Sequence, residues 1–492
     1  MTFAAVTSAV VIGLSGHVVR IEARVCPGLS GVHLIGLPEA TVPQTRDRVR
    51  AAILNSGYPW PDGQITVNVL PMGMPKYGSS LDVAIAVAIL AAAGTVPVDR
   101  LADTAFLGEL GLDGALRPIR GLPCALRALV TSGIWAVALP AASIEEGGPC
   151  AILPAVSLTD LIERLTSGAP ATVPTPRVPT QDAPDAPVLD LADVPGNQAA
   201  RRALEVCAAG GHHLLLHGDG PATMLAERLP GILPDLDDAG LAQVSEIYSL
   251  TETPWQGRRR PLCAPHYTNT AAAIFGRHTT GGLRPGAVSL AHAGVLFLAE
   301  APEYARSILD GLRYPLDTGE IMLADAGGIL GLPARFQLLL ATHPCPCTTP
   351  TLCHCGPIER RRYLNRLAPL RERIEITAPI TPLDRLTAEP GEPTATVAVR
   401  VAEARARAAH RLTGTPWQTN ADIPALELRT SHRLAPEAFD PLDTPLHSGA
   451  ISPRAVTRIL RLAWTLADLR AAARPTRDDT REALRLWQGE PT

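Results

Sequence analysis

Leu214-Leu-Leu-His-Gly-Asp-Gly-Pro-Ala-Thr-Met-Leu-Ala226 reads as a short apolar run, a glycine-bearing turn and the start of a helix. In that order the three form a phosphate-binding geometry, because main-chain N–H groups and a helix N-terminus converge on an anion. Short continuous apolar runs return at 294–298 and 336–341. Runs of this length are strands buried on both faces, the mark of a parallel sheet. Residues 189–380 are therefore expected to form an α/β core. Residues 395–492 are helical in pattern, with arginine-rich amphipathic segments at 397–412 and 453–487. Proline-rich connections are expected at 376–394 and 434–453.

Upstream, residues 1–166 are apolar, with strands predicted at 9–14, 18–25 and 65–70 and one apolar helix near 82–93. Residues 167–188 are rich in Pro, Ala and Thr and read as a semi-extended linker. The apolar stretch at 83–93 is too short to cross a bilayer. No basic segment precedes the apolar start, so no secretory signal is expected. The expectation is a cytoplasmic chain with no membrane partner.

The length of 492 residues suggests two or three domains. Lys and Arg number 44 against 48 Asp and Glu, a net charge of −4, which excludes a globally basic nucleic-acid coat. Lys76 is the only lysine, so no function can depend on a lysine elsewhere. Positive charge is local: residues 358–375 hold six Arg against three Glu, and Arg258-Arg-Arg260 is a second cluster. Arg360, Arg361, Arg362 and Arg366 are candidate DNA contacts, since arginine suits phosphate. A solvated helix face explains them equally well.

Four of nine cysteines fall at Cys345, Cys347, Cys353 and Cys355. Four thiolates within so short a span can close a tetrahedral zinc site, with His343 and His354 as alternative ligands. Free or transiently oxidised thiols are the competing reading. Clustering in a large chain favours metal over a disulfide framework.

Gly36-Leu-Pro-Glu39, Arg46-Asp-Arg-Val-Arg50, Phe106-Leu-Gly-Glu-Leu110, Arg117-Pro-Ile-Arg-Gly121, Ser289-Leu-Ala-His292, Gly294-Val-Leu-Phe-Leu298 and Pro344-Cys-Pro-Cys347 together resemble the magnesium-chelatase-like AAA+ family of ComM/YifB type. The resemblance covers nearly the whole chain. It implies an N-terminal α+β domain similar to the Lon protease C-terminal fold (ribosomal S5 domain 2-like), an AAA+ three-layer domain with a P-loop-type parallel sheet, and a C-terminal helical lid. It also implies ATP and Mg²⁺ as ligands, a hexameric ring, and a role in recombination-linked DNA branch migration. The family carries a similar cysteine cluster after its sensor strand.

Against the family's GxxxxGK[ST] loop, the segment from Gly218 through Gly220 to Thr223 is two residues shorter. Ala222 falls where the phosphate-binding lysine belongs, and Pro221 removes a main-chain donor. Thr223 keeps the Mg-binding hydroxyl. Ala299 stands where the family has its Mg-ligating aspartate, Glu300 keeps the water-polarising carboxylate, and His343 replaces the sensor asparagine. Arg373 matches the family's trans-acting arginine finger, and Arg454 its second sensor arginine.

Two functions follow from these residues. One is a degenerate subunit with weak or absent ATP hydrolysis, a scaffold or regulator in DNA processing, paired with itself or with a competent paralogue. The other is an active ATP-dependent branch-migration motor with a reorganised loop. Tyr267, Phe275 and Arg277 are candidate pore-loop residues. Ser80 falls on the Lon-type nucleophile, but Pro123 stands at its lysine, so a protease reading is set aside. Lys76 is expected at the surface or facing a partner.

Overall fold

The apolar runs become strands because each has a covering layer to bury it. The computed structural model describes residues 2–490 apart from 75, 77–78, 147, 174–188, 280–281, 326–327, 348–352 and 383–390. The N-terminal part is a seven-stranded mixed sheet in the order Gly31–Ile35, Gln64–Leu70, Ser15–Cys26, Thr2–Ile12, Thr104–Phe106, Ala136–Pro140, Ala151–Ala155. Helix Asp82–Ala92 has every residue buried and covers one face. Helix Leu122–Thr131 covers the other. Most of the expected linker, 174–188, lies outside the described residues. Its described beginning is not free: Ser167 ends a helix, and Thr172 exchanges two main-chain hydrogen bonds with Ile152 (2.8 and 2.9 Å).

Helix Leu122–Thr131 also joins this part to the next. Arg127 pairs with Glu246 (2.6 Å), Arg120 with Glu252 (3.2 Å), and the Gly121 N–H donates to the Ser249 carbonyl (3.0 Å).

The second part is a five-stranded sheet in the order Leu262–Cys263, Val295–Leu298, Gln337–Thr342, Leu214–Gly218, Ile376–Ile380, all parallel. The strand reading at 214, 294 and 336 holds. The proline-rich connection at 376–394 is corrected: its first five residues are a strand. Pro379 is tolerated there because this is the sheet's edge, where a missing N–H breaks no ladder. Residues 436–447 likewise form a helix despite Pro441 and Pro445. The segment 453–487 is two helices, Pro453–Leu469 and Arg477–Gln488, parted near Ala471 with φ of 59°.

Helices Thr394–Arg411 and Pro453–Leu469 pack onto the sheet's helical layer and share its apolar cluster. A buried polar network locks them there. Arg411 is bidentate on Asp468 (2.6 and 2.7 Å), Asn420 donates to Asp468 (2.8 Å), and Thr465 meets His212 Nε2 (2.8 Å). No helix among the described residues is long and apolar enough to cross a membrane.

His212 and His292 are buried, and burial is the first cause that lowers both; His292 is held down to about 4 from 6.5. The His292 Nδ1 accepts the Arg335 N–H (3.2 Å), so it cannot take a proton without losing that bond. Below pH 6.5 the unfolded chain binds protons that the folded one refuses. Stability is therefore present above pH 6.5 and lost as pH falls towards 4, at ~1.4 kcal/mol per pH unit for each such histidine. Urea denaturation between pH 7.5 and 5 is expected to show this decline, with a shallower slope in His292→Gln. Equal slopes in the two proteins would contradict the assignment.

Candidate functional site

The sheet order places the loop after Leu214–Gly218 between the ends of two neighbours, Thr342 and Ile380. Ligands of parallel α/β sheets bind in such a crevice. Here the loop is packed into it. A Cβ on Gly218 would lie 2.1 Å from the Ile380 carbonyl oxygen, and one on Gly220 would lie 2.6 Å from that of Thr381. Only glycine permits this approach. The Ala222 N–H is taken up by the Gly220 carbonyl (2.9 Å), and Pro221 has none to offer. The helix Ala222–Ile232 then begins, with Thr223 exposed.

Asp219 Oδ1 lies 2.8 Å from His343 Nδ1, which joins the loop to the end of strand Gln337–Thr342. A carboxylate thus stands in the turn where a phosphate would be received. Beyond the next strand, Ala299 is half-buried against the apolar core and offers no ligand. Glu300 is exposed in the left-handed region (φ 49°), and its carbonyl accepts the Glu303 N–H (2.8 Å). Arg366 clamps this turn, donating to the Pro302 carbonyl (3.1 Å) and to Glu303 (3.3 Å).

Arg373 and Arg454 lie elsewhere. They line a cleft of about 710 Å³ with His213, Asp317, Glu372 and Trp417. His213 precedes strand Leu214–Gly218, so the cleft is at the opposite end of the sheet from the loop, ~16 Å away at ~3.3 Å per residue. Arg373 is bidentate on Asp317 (2.8 and 2.5 Å), and Arg454 pairs with Glu372 (3.1 Å). The structure therefore separates the candidate residues into two groups, Gly218–Thr223 with Ala299, Glu300 and His343, and the arginine pair.

The four cysteines do come together. Their sulfurs all lie within 4.8 Å of one another. Cys345 is buried and the rest half-buried. Hydrogen bonding from Cys347 and then the Cys355 N–H lowers Cys353 to about 6. His343 is engaged with Asp219 instead. Arg360 Nη2 sits 3.5 Å from Cys353 Sγ on the helix Pro357–Leu364. Of the four candidate DNA arginines, Arg360 thus serves the thiols and Arg366 the Glu300 turn. Arg361 and Arg362 are exposed. Of the pore-loop candidates, Tyr267 and Phe275 pack against the core, and Arg277 is exposed on the hairpin Gly276–Thr279 with Gly282–Pro285.

Three family descriptions match in succession. Subunit ChlI of Mg-chelatase covers residues 21–143, magnesium chelatase subunit ChlI covers 190–387, and the ChlI C-terminal part covers 391–486. A protein of Mycobacterium tuberculosis is 42% identical over 98% of both chains. YifB of Escherichia coli is 36% identical and the competence protein ComM of Haemophilus influenzae 34%, each over 98% of this chain and 97% of the relative. The chain belongs to the magnesium-chelatase-like ComM/YifB family. Lon protease of Trichlorobacter lovleyi is 31% identical over 134 residues, 26% of this chain and 16% of the protease.

The Lon-like likeness does not bring a catalytic lysine. Lys76 is 2% exposed, not at the surface as expected, and its three donors are spent on the carbonyls of Pro71 (2.6 Å), Gly36 (3.1 Å) and Met74 (3.4 Å). It ties down the chain ahead of Ser80. Sequence reasoning also missed Asp219, although an acid inside a phosphate loop is a visible signal, and Asp317, whose partnership with Arg373 spans 56 residues.

Membership of a magnesium-chelatase family points to ATP and Mg²⁺, and the residues at the loop fit them poorly. There is no lysine, one main-chain donor is missing, another is used, and a carboxylate is present. The loop's packing is testable by itself. Gly220→Ala is expected to cost ~1–3 kcal/mol in chemical denaturation through overpacking against Thr381. Thr223→Ala, exposed, should stay within ~0.5 kcal/mol. Equal effects would show that the loop is not held as described.

Proposed function

We propose that this chain is a ComM/YifB-like subunit with weak or absent ATP hydrolysis that acts in DNA processing as a scaffold or regulatory member of a ring. The observation that carries the reading is the Asp219–His343 pair inside a loop packed on the Ile380–Thr381 backbone. Phosphoryl transfer depends on positive charge and metal around the phosphates. The residues at this crevice supply neither: Ala222 and Ala299 stand at the lysine and aspartate positions.

Arg373 and Arg454 support a role towards a neighbour. They share one cleft remote from their own loop, so a triphosphate they address belongs to another subunit, a second copy or a competent paralogue. The Haemophilus influenzae relative is a competence protein, which supports DNA as the working substrate. Arg361, Arg362 and Arg277 are exposed cations available for phosphate contact. The cysteine cluster fits zinc, since an all-sulfur tetrahedral donor set selects a soft, closed structural site.

Purified protein is expected to show no ATP turnover above background, with or without single-stranded or branched DNA. Its melting temperature should not respond to ATP and Mg²⁺, whereas a nucleotide at a hundred times its Kd would add ~2.7 kcal/mol. Turnover that Glu300→Gln abolishes would overturn this reading in favour of an active motor with a reorganised loop.

A further inference from the structure

We propose that the four-cysteine cluster is a zinc cross-link that holds both sides of the phosphate-facing crevice, so that metal occupancy sets the order of the Asp219 loop and the Glu300 turn. The inference rests on the zinc reading above and goes beyond it.

Tetrahedral zinc with Zn–S bonds of ~2.3 Å places its sulfurs ~3.8 Å apart. Here Cys345 lies 2.9 Å from Cys347 and 3.3 Å from Cys353, and all four sulfurs fall within 4.8 Å, so small side-chain adjustments complete the site. Four thiolates around one divalent cation leave two negative charges. Arg360, on Cys353 at 3.5 Å, offsets them and orients the ligand.

The ligands come from two arms. Cys345 and Cys347 directly follow strand Gln337–Thr342, and Cys353 and Cys355 directly precede helix Pro357–Leu364. A bound metal therefore joins a strand end to a helix start. Each arm also makes a contact at the crevice. On the first, His343 reaches Asp219 at 2.8 Å. On the second, Arg366 reaches Pro302 and Glu303 in the turn after Glu300. Both contacts are partly exposed, with side-chain exposures of 47% for His343 and 55% for Arg366. Exposed pairs of this kind hold little alone. They persist when their bases are fixed; the buried Tyr363, hydrogen-bonded to Thr342, already ties helix to strand, and the metal adds the tie nearest the crevice.

The test is hydrogen exchange on the full chain, zinc-loaded and after chelation under reducing conditions, with zinc measured by elemental analysis. One zinc per chain is expected. Its removal should speed exchange at least tenfold at residues 219–223 and 301–304 and leave 214–217 unchanged. In His343→Ala the loop should exchange fast with or without zinc while 301–304 still responds; in Arg366→Ala the pattern should reverse. Where chelation unfolds the chain, the two variants are compared fully loaded, and each must free only its own segment. Less than 0.1 zinc per chain with no uptake of added zinc, or cysteines found as disulfides, would sink the metal reading itself. Stoichiometric zinc with unchanged exchange on its removal, or variants that alter neither segment, would leave the metal site standing and overturn the coupling.

Discussion

The contact on which the crevice depends is between backbone and backbone: the turn Gly218–Pro221 lies against the carbonyls of Ile380 and Thr381. It follows from the strand order, which sets Leu214–Gly218 beside the edge strand Ile376–Ile380. A phosphate loop works by standing away from its neighbours and pointing N–H groups inward. This one leans on the strand beside it, so the backbone of Ile380 and Thr381 lines one wall. Asp219 adds negative charge to the same wall, and His343 holds it there. Charge and packing in the turn therefore point the same way, and Ala299 at the neighbouring strand end carries no ligand atom in its side chain.

Most of the sheet was legible because buried parallel strands carry a plain signature. Leu214–Gly218, Val295–Leu298 and Gln337–Thr342 are continuous apolar runs, and nothing else in the chain explains them. Ile376–Ile380 was illegible because a proline sits inside it, and only the finished topology shows that it is an edge. The lid's proline-bearing helix was hidden for a related reason: local propensity argues against helix at Pro441 and Pro445, and tertiary packing of Ala438 and Leu442 outweighs it.

The site was readable by residue type and not by partnership. A glycine-bearing turn, the absence of lysine near it and a cysteine cluster are all visible in one dimension. Which cation meets which anion is not. Arg360 and Arg366 belong to one basic run, yet the first faces a thiol and the second a carbonyl and a carboxylate. Lys76 was misjudged for the same reason: a lone lysine looks like surface until three carbonyls are found around it. Charge runs are ambiguous in sequence because long side chains choose their partners only once helices have packed.

The two ends of the sheet differ in charge. At the loop end, Asp219 is paired with His343 and the glycine turn is packed on the Ile380–Thr381 backbone. At the far end, Arg373 is held bidentately by Asp317, while Arg454 makes one exposed contact to Glu372. A fixed, bidentate carboxylate keeps an arginine extended and oriented at low entropic cost, and a polyphosphate of higher charge can displace it. In the proposed ring, the asymmetry makes this chain a giver of arginine to its neighbour's phosphates and not a user of its own, and the ring would then fire at fewer sites than it has subunits.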